Sequence, residues 1–588
     1  MKKTLAVLVA LMMALALLPA LGETAYTPDT YEGTAQGHLG PVKVKVTLAK
    51  DKIEVIEVIE SAETGGIGDV AAERVIKDVL DNQSLAVDAV TGCTVSANAF
   101  RMAIEDALTV AGANVQALRE VPKAEQPKVE RELSVDVCVV GSGAAGLMAA
   151  LEAAEAGAKV VVLERLSRNG GSTRTSSAMI VAGGTPLQAE AGIEDSVDNL
   201  KVYWRERGEG LVDVQQTDYV AEHINDSLAK LMELGVPYVS SLILQSGTAT
   251  VNRAHLPVGF GVALCDVLTQ KLSDMGVDIL YDTRAESLLQ VDDAVTGVVA
   301  TSRQGKLTVN AGAVVLATGG YGWNPNMVKE YAPDAEGAWP VSSPGSTGDG
   351  ITMAMAVGAD TVFKGGFIGW KVVNPVHGHT SPIGAPIYGA ANLIVNPKGD
   401  RFGNEAEDYP FLYNSMRSDG GDKFYFIFET AQGETRDLVD NVSDTIANLE
   451  KGVEAKLCFK ADTIEELAQV AGLTNLKATV DVWNAAIKAG KDDTFGRDTA
   501  TMTPIENGPF YALQSMRATL GTFGGLKTQI TGEVLTPQGT PIPGLYAAGE
   551  VANGDFFPVI YPASGSALSM CIVLGQEAGR SAAAFVQR

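Results

Sequence analysis

Paired cysteines are missing from this chain. Its five cysteines (Cys93, Cys138, Cys265, Cys458, Cys571) are scattered, with no CxxC and no CxxCH. That spacing removes support for zinc ribbons, cysteine-ligated clusters and c-type haem, so no metal site is expected and electrons must arrive by other means. Positive charge is also scarce. Against 71 Asp and Glu there are 45 Lys and Arg, a formal charge of −26. A field of that sign repels nucleic-acid phosphates and anionic membranes, so neither is an expected partner, and any grip on an anionic substrate has to be local. Past the N-terminus, no stretch is uniformly apolar over about 20 residues. Internal repeats and low-complexity tracts are absent too.

The N-terminus itself reads as an export signal over 1–22. Lys2 and Lys3 precede an apolar run from Leu5 to Leu18, and Ala20-Leu21-Gly22 offers small residues before Glu23. The expected location is extracytoplasmic, periplasmic or at the cell surface; a retained membrane anchor is the alternative reading.

What is present fits a large α/β protein: 588 residues, 46% hydrophobic, with 63 glycines. A small unit over 26–115 opens with alternating strands such as Val42-Lys43-Val44-Lys45-Val46 and ends in a helix-like stretch from Ala97 to Ala111. Residues 116–132 read as a linker, with Pro122, Pro127 and many charges. The larger unit begins at Leu133. Its first strand, Val135 to Val140, runs into Gly141-Ser142-Gly143-Ala144-Ala145-Gly146 and an Ala-rich helix; a second strand, Lys159 to Leu163, ends in Glu164. Glycines there permit a tight turn, the helix N-terminus faces a pyrophosphate, and the acid accepts from ribose hydroxyls. Strand, glycines, helix, strand and acid in that order predict a dinucleotide site. Asn169-Gly170-Gly171-Ser172-Thr173, Val314 to Gly320 and Gly544 to Glu550 are further glycine segments that would return to the cofactor, which favours FAD over NAD.

With these blocks quoted, region 133–588 resembles the fumarate reductase/flavocytochrome c flavoprotein family, which also includes urocanate reductases and 3-ketosteroid dehydrogenases. Gly345-Ser346-Thr347-Gly348-Asp349-Gly350 and Asp400-Arg401-Phe402-Gly403-Asn404-Glu405 match as well. The resemblance implies a doubly wound, glutathione-reductase-like FAD-binding domain (133–362 and 517–588) with an α+β clamp inserted over 363–516. It implies non-covalent FAD held by the Gly141, Gly143, Ala145 and Gly146 turn, Glu164, Ser172, Thr173, Ser177, Ala178, Asp349, Glu550, Ala567 and Leu568, with Ala285 a weaker match. Asp88-Ala89-Val90-Thr91-Gly92-Cys93-Thr94 resembles the motif of small α+β FMN-binding domains, in which a flavin transferase esterifies FMN onto the last threonine, here Thr94. A helix cap at Ser96 is the bland alternative. A covalent carrier suits an exported protein, because a dissociable one would be diluted away; a membrane-associated donor would supply its electrons.

For catalysis the resemblance implies hydride transfer to an activated C=C bond, with Arg401 as proton donor and Glu405 and Asp408 as acidic neighbours. A structural salt bridge is the other reading of Arg401. The carboxylate-gripping residues of fumarate reductases are replaced, by Asn374, Gly521 and Pro562 among others. Fumarate is therefore disfavoured against a urocanate- or acrylate-like acid, or an enone. Asn374, His377 and His379 are candidate substrate contacts, and Tyr561, in Tyr561-Pro562-Ala563-Ser564-Gly565, resembles the carbonyl-polarising tyrosine of ketosteroid dehydrogenases. Two readings stay open beside reduction: ketosteroid-type dehydrogenation, and an electron relay with no small-molecule substrate.

Overall fold

The computed structural model describes residues 26–588, apart from 374–392, 430–452 and short stretches at 38–39, 62, 64–67, 89, 91–92, 123–127, 246–250, 408, 422, 455, 457, 558 and 560. The chain divides between Gln126 and Pro127 into two compact units.

In the first unit, strands Asp29–Gln36, Pro41–Leu48 and Ile53–Ser61 form an antiparallel sheet in chain order. The middle strand alternates strictly: Val42, Val44, Val46 and Leu48 are buried, with Lys43 and Lys45 between them. Period-two alternation gives a sheet with one apolar face. Helices Gly68–Asn82 and Thr94–Val110 cover that face with Val75, Val79, Phe100, Ala103, Ile104 and Ala107.

The second unit is built on a mixed sheet. Strands Asp278–Leu280, Val160–Leu163, Arg131–Val140 and Gly305–Leu316 run parallel, and Pro541–Ala547 joins the far side of Gly305–Leu316, also parallel. Where they lie at the centre of the sheet these strands are buried on both faces and read as apolar runs, Val137 to Val140, Val160 to Leu163 and Ala313 to Leu316. Helix Ala144–Glu155 follows the first glycine turn, and the C-terminal helix Ser566–Val586 packs along it.

Between Val362 and Gly525 the chain makes a capping region around a six-stranded sheet. Its spine is the 13-residue strand Phe510–Thr522, paired with Trp339–Pro340, Phe367–Val373, Phe424–Glu429 and Cys458–Ala461. Helix Tyr409–Asp419 covers one face of this sheet, and Ile464–Ala471 with Leu476–Ala489 the other. A domain boundary after 516 falls inside the spine, so Arg517 to Thr522 belong to the capping sheet. The two passages into and out of the cap pair with each other, Thr361 opposite Leu526 and Val362 opposite Gly525.

Candidate active site

A cavity of about 430 Å³ opens where the strand ends of the second unit meet the cap. At one end lies the first glycine turn. Gly141 has φ +107, and a Cβ there would overlap the Ala317 carbonyl; one on Gly146 would overlap the Gly141 carbonyl. The sequence is glycine-rich here because the turn must fold back on itself and leave room beside it. Glu164 is buried and accepts from the Ser142 amide (3.0 Å), the Ser142 hydroxyl (2.6 Å) and the Leu166 amide (2.8 Å). Burial raises its pKa, against the pull of those donors. Asp349 receives Arg284 at 2.9 Å and Arg165 at 3.2 Å. Burial works against its charge, but the bonds from Arg284 and Thr347 and the Arg165 charge outweigh it and hold the carboxyl below its ordinary range.

Of the residues assigned to cofactor binding in this unit, Gly141, Gly143, Ala145, Glu164, Ser172, Thr173, Ser177, Ala285, Asp349, Glu550, Ala567 and Leu568 line the cavity. Gly146 and Ala178 do not; they are buried beneath it, Ala178 with φ +49. Glu550 is held by the Thr522 amide (2.7 Å) and hydroxyl, and its burial raises its pKa. Thr522 belongs to the capping spine, so this carboxylate ties cap to sheet.

The cap end of the cavity is formed by Ile368, Leu520, Gly521, Thr522 and Phe523, facing Tyr561, Ser564 and Gly565. The Tyr561 ring lies in an aromatic box, 5.4 Å from Phe557 and 6.0 Å from Phe523. Its oxygen accepts from the amides of Gly565 and Ala567, each at 3.1 Å, at the start of the 21-residue helix Ser566–Val586. With both lone-pair directions used, the phenol can serve any further partner only as a donor. Burial pushes its pKa up to about 12, against the opposing pull of the two amides.

Arg401 is elsewhere. It does not line the cavity. Its guanidinium is bidentate to Glu405 (2.8 and 2.9 Å), also bonds Asp492 (3.2 and 3.1 Å), and lies 5.0 Å from the rings of both Trp483 and Phe495. Arg497 closes the network on Glu405 at 3.2 Å. Its burial opposes the charge, yet the Glu405 and Asp492 carboxylates raise the Arg401 pKa further, the reverse of what a proton donor needs. In this structure the residue expected as proton donor is held in an ion-pair network inside the cap, with its i+4 acid Glu405 as a direct partner. Asn374, His377, His379 and Asp408 lie outside the described residues.

In the first unit Thr94 is exposed and opens helix Thr94–Val110, its hydroxyl 3.4 Å from the Val90 carbonyl. Ser96 is no cap: the helix N-cap is Cys93, and Ser96 is buried, with its hydroxyl donating to Glu63.

The chain matches two domain families, the FAD binding domain over residues 136–568 and the FMN-binding domain over 37–109. A urocanate reductase of Eggerthella lenta is 31% identical, covering 96% of this chain and 93% of the relative. This chain belongs to the fumarate reductase/flavocytochrome c flavoprotein family. An NADH:fumarate oxidoreductase of Klebsiella pneumoniae is 29% identical over 96% of this chain, which spans only 59% of that relative's length. A vinyl phenol reductase of Lactiplantibacillus plantarum is 31% identical over 77% of this chain and 97% of its own. Among solved structures, the open conformation of a flavocytochrome c3 fumarate reductase superposes with a TM-score of 0.67 (29% identity, 78% of this chain, 79% of that one). A 3-ketosteroid-Δ4-(5α)-dehydrogenase from Rhodococcus jostii RHA1 superposes with 0.62 (28% identity, 78% and 99%).

The flavoprotein's cavity suits FAD on its own chemistry. Thr318 Oγ1 and Ser342 Oγ are buried in its wall with no hydrogen-bond partner, a costly condition unless a ligand supplies one. Neither hydroxyl was singled out from the sequence, although Thr318 stands inside the Val314–Gly320 block. The glycine turn that opens Ala144–Glu155 offers amide donors to a pyrophosphate, and Glu164 and Glu550 offer acceptors to hydroxyls. The chain thus belongs to a family of FAD-dependent oxidoreductases.

Proposed function

We propose that this protein is an exported reductase of an activated C=C bond whose activating group is an uncharged carbonyl or, at most, one carboxylate. One observation carries the substrate class. Among the described residues lining the cavity, the only basic side chains are Arg165 and Arg284, and both are committed to Asp349. A dicarboxylate would forgo charge-assisted bonds of about 1.5–3 kcal/mol each. A neutral carbonyl needs one donor, and the Tyr561 phenol is one. The relative named for a vinyl phenol, a compound with no carboxylate, is consistent with an alkene that needs no carboxylate grip.

Bound in the cavity, FAD supplies the hydride, replenished with electrons from FMN. The chain's own residues act around it. Hydride addition leaves an enolate, whose oxygen Tyr561 steadies by donating a hydrogen bond, and a proton taken from solvent at the neighbouring carbon completes the product. Ile368, Leu520 and Phe523 keep the alkene in apolar, water-poor surroundings. FMN is tethered through Thr94, whose exposure suits attack by a flavin transferase, and a membrane-associated donor feeds it. Intact-protein mass spectrometry of material made with the transferase should show the FMN mass, and its loss in Thr94→Ala.

The reduced, flavin-loaded protein, mixed anaerobically with fumarate, acrylate, urocanate, 4-vinylphenol and 2-cyclohexen-1-one, should reoxidise with the neutral alkenes at least tenfold faster than with fumarate. Preference for fumarate would end the substrate reading. A second reading has an observation of its own: Tyr561 lines the cavity while Arg401 does not, the emphasis a dehydrogenase of ketone substrates would have. In that case a saturated ketone bleaches the oxidised flavin, and none of the alkenes reoxidises the reduced one.

A further inference from the structure

We infer that Tyr203 and Trp204, adjacent on helix Val197–Arg207, are positioning residues that fix the Tyr561 hydroxyl from outside the cavity. This rests on the reading of Tyr561 as the group that touches substrate. Tyr203 Oη donates to the Pro562 carbonyl at 3.1 Å, and Trp204 Nε1 donates to Ser566 Oγ at 3.0 Å. The two bonds grip the 561–566 turn at both ends. Between them lie Gly565 and, one residue on, Ala567, whose amides hold the Tyr561 oxygen. Gly565 has φ +100, a conformation that glycine adopts without strain, so the backbone alone does not fix the turn and the two side-chain bonds add to what holds it.

Trp204 also reaches the phenol through ring contacts. It meets Phe556 edge-on at 5.7 Å, Phe556 meets Phe557 at 4.5 Å, and Phe557 meets Tyr561 at 5.4 Å. Tyr203 is anchored in turn. The Arg253 guanidinium lies 5.3 Å over its ring and is bidentate to Asp195 (2.6 and 2.8 Å), a buried pair. Neither Tyr203 nor Trp204 lines the cavity. An unsupported turn would leave the hydroxyl free to wander by a fraction of an ångström, and a misplacement of about 1 Å can cost about 10²-fold in rate.

The test uses the full, flavin-loaded protein with 2-cyclohexen-1-one as oxidant of the reduced flavin. Tyr203→Phe, which keeps the ring, and Trp204→Phe, which keeps an aromatic ring but loses the indole N–H, should each lower kcat about tenfold with KM changed less than threefold. In a Tyr561→Phe background neither should lower it further. An independent readout is fluorine NMR of protein labelled with 3-fluorotyrosine, the Tyr561 signal being the one lost in Tyr561→Phe. That signal should shift or broaden in Tyr203→Phe and in Trp204→Phe. Full additivity with Tyr561→Phe, or an unmoved Tyr561 signal in both variants, overturns the inference. A fully active Tyr561→Phe overturns the functional reading instead, and the fluorine signal then still decides whether the helix positions the turn.

Discussion

Tyr561→Phe is expected to lower turnover on the best alkene by about 10²-fold or more, the scale of removing a positioned donor from an active site. The ring stays, so the aromatic box and flavin retention should be unchanged; what disappears is the hydroxyl held at the helix start on a residue that lines the cavity. The pH dependence follows from the sign of the shift. With the phenol pKa pushed up to about 12, the group is neutral and able to donate throughout the neutral range. Between pH 6 and 9 the parent's rate should therefore carry no inflection from this residue, and the ratio of parent to variant should stay constant. Anaerobic stopped-flow reoxidation measures both. Turnover within threefold of the parent would remove Tyr561 from the mechanism.

Arg401→Ala should act on stability rather than chemistry. Deleting one member of a buried network strands the others: Glu405 would keep Arg497, but Asp492 would lose its ionic partner among the described side chains. Breaking a buried pair from one side costs about 3–5 kcal/mol. Chemical unfolding, followed through Trp483 beside the network, should report a loss of that size. Arg401→Lys should recover only part of it, because an ammonium cannot span Glu405 and Asp492 with paired bonds or stack between Trp483 and Phe495. Among molecules that remain folded, flavin reoxidation per bound FAD should be within threefold of the parent. A 10²-fold loss in stable Arg401→Lys protein would restore the arginine to the reaction and refute its assignment as structural.

The contrast between these two residues shows what the sequence could carry. Nearly the whole FAD cradle was legible, because a phosphate-binding turn is a local object: glycines, helix start and acid sit within one βαβ unit and leave fixed spacings. That Tyr561 would reach the cavity was legible for a similar reason, since it lies in a short turn beside a helix start. The placement of Arg401 was not. Its motif was found, but a motif gives no side-chain direction, and the partner that decides the matter, Asp492, lies 91 residues away in sequence. Thr318 and Ser342 escaped notice because a lone hydroxyl becomes informative only when its surroundings leave it unsatisfied. Tyr203 and Trp204 could not be found at all by spacing, since they act across more than 350 residues of chain.

The paired strands at the neck of the cap bear on how a ligand could enter. Thr361–Val362 and Gly525–Leu526 form a ribbon only two residues long, next to Gly524 with φ +112, and a short ribbon of this kind resists torsion poorly. Attached to it is a lever of 13 residues, roughly 40 Å at about 3.3 Å per residue. Rotation at the ribbon by ~10° would carry the Phe510 tip some ~7 Å, on the same rise per residue, while Leu520 and Thr522, next to the pivot, would barely travel. Such a swing would have to part the spine from Trp339–Pro340, while the hinge-side wall, seated on Glu550, would keep its order.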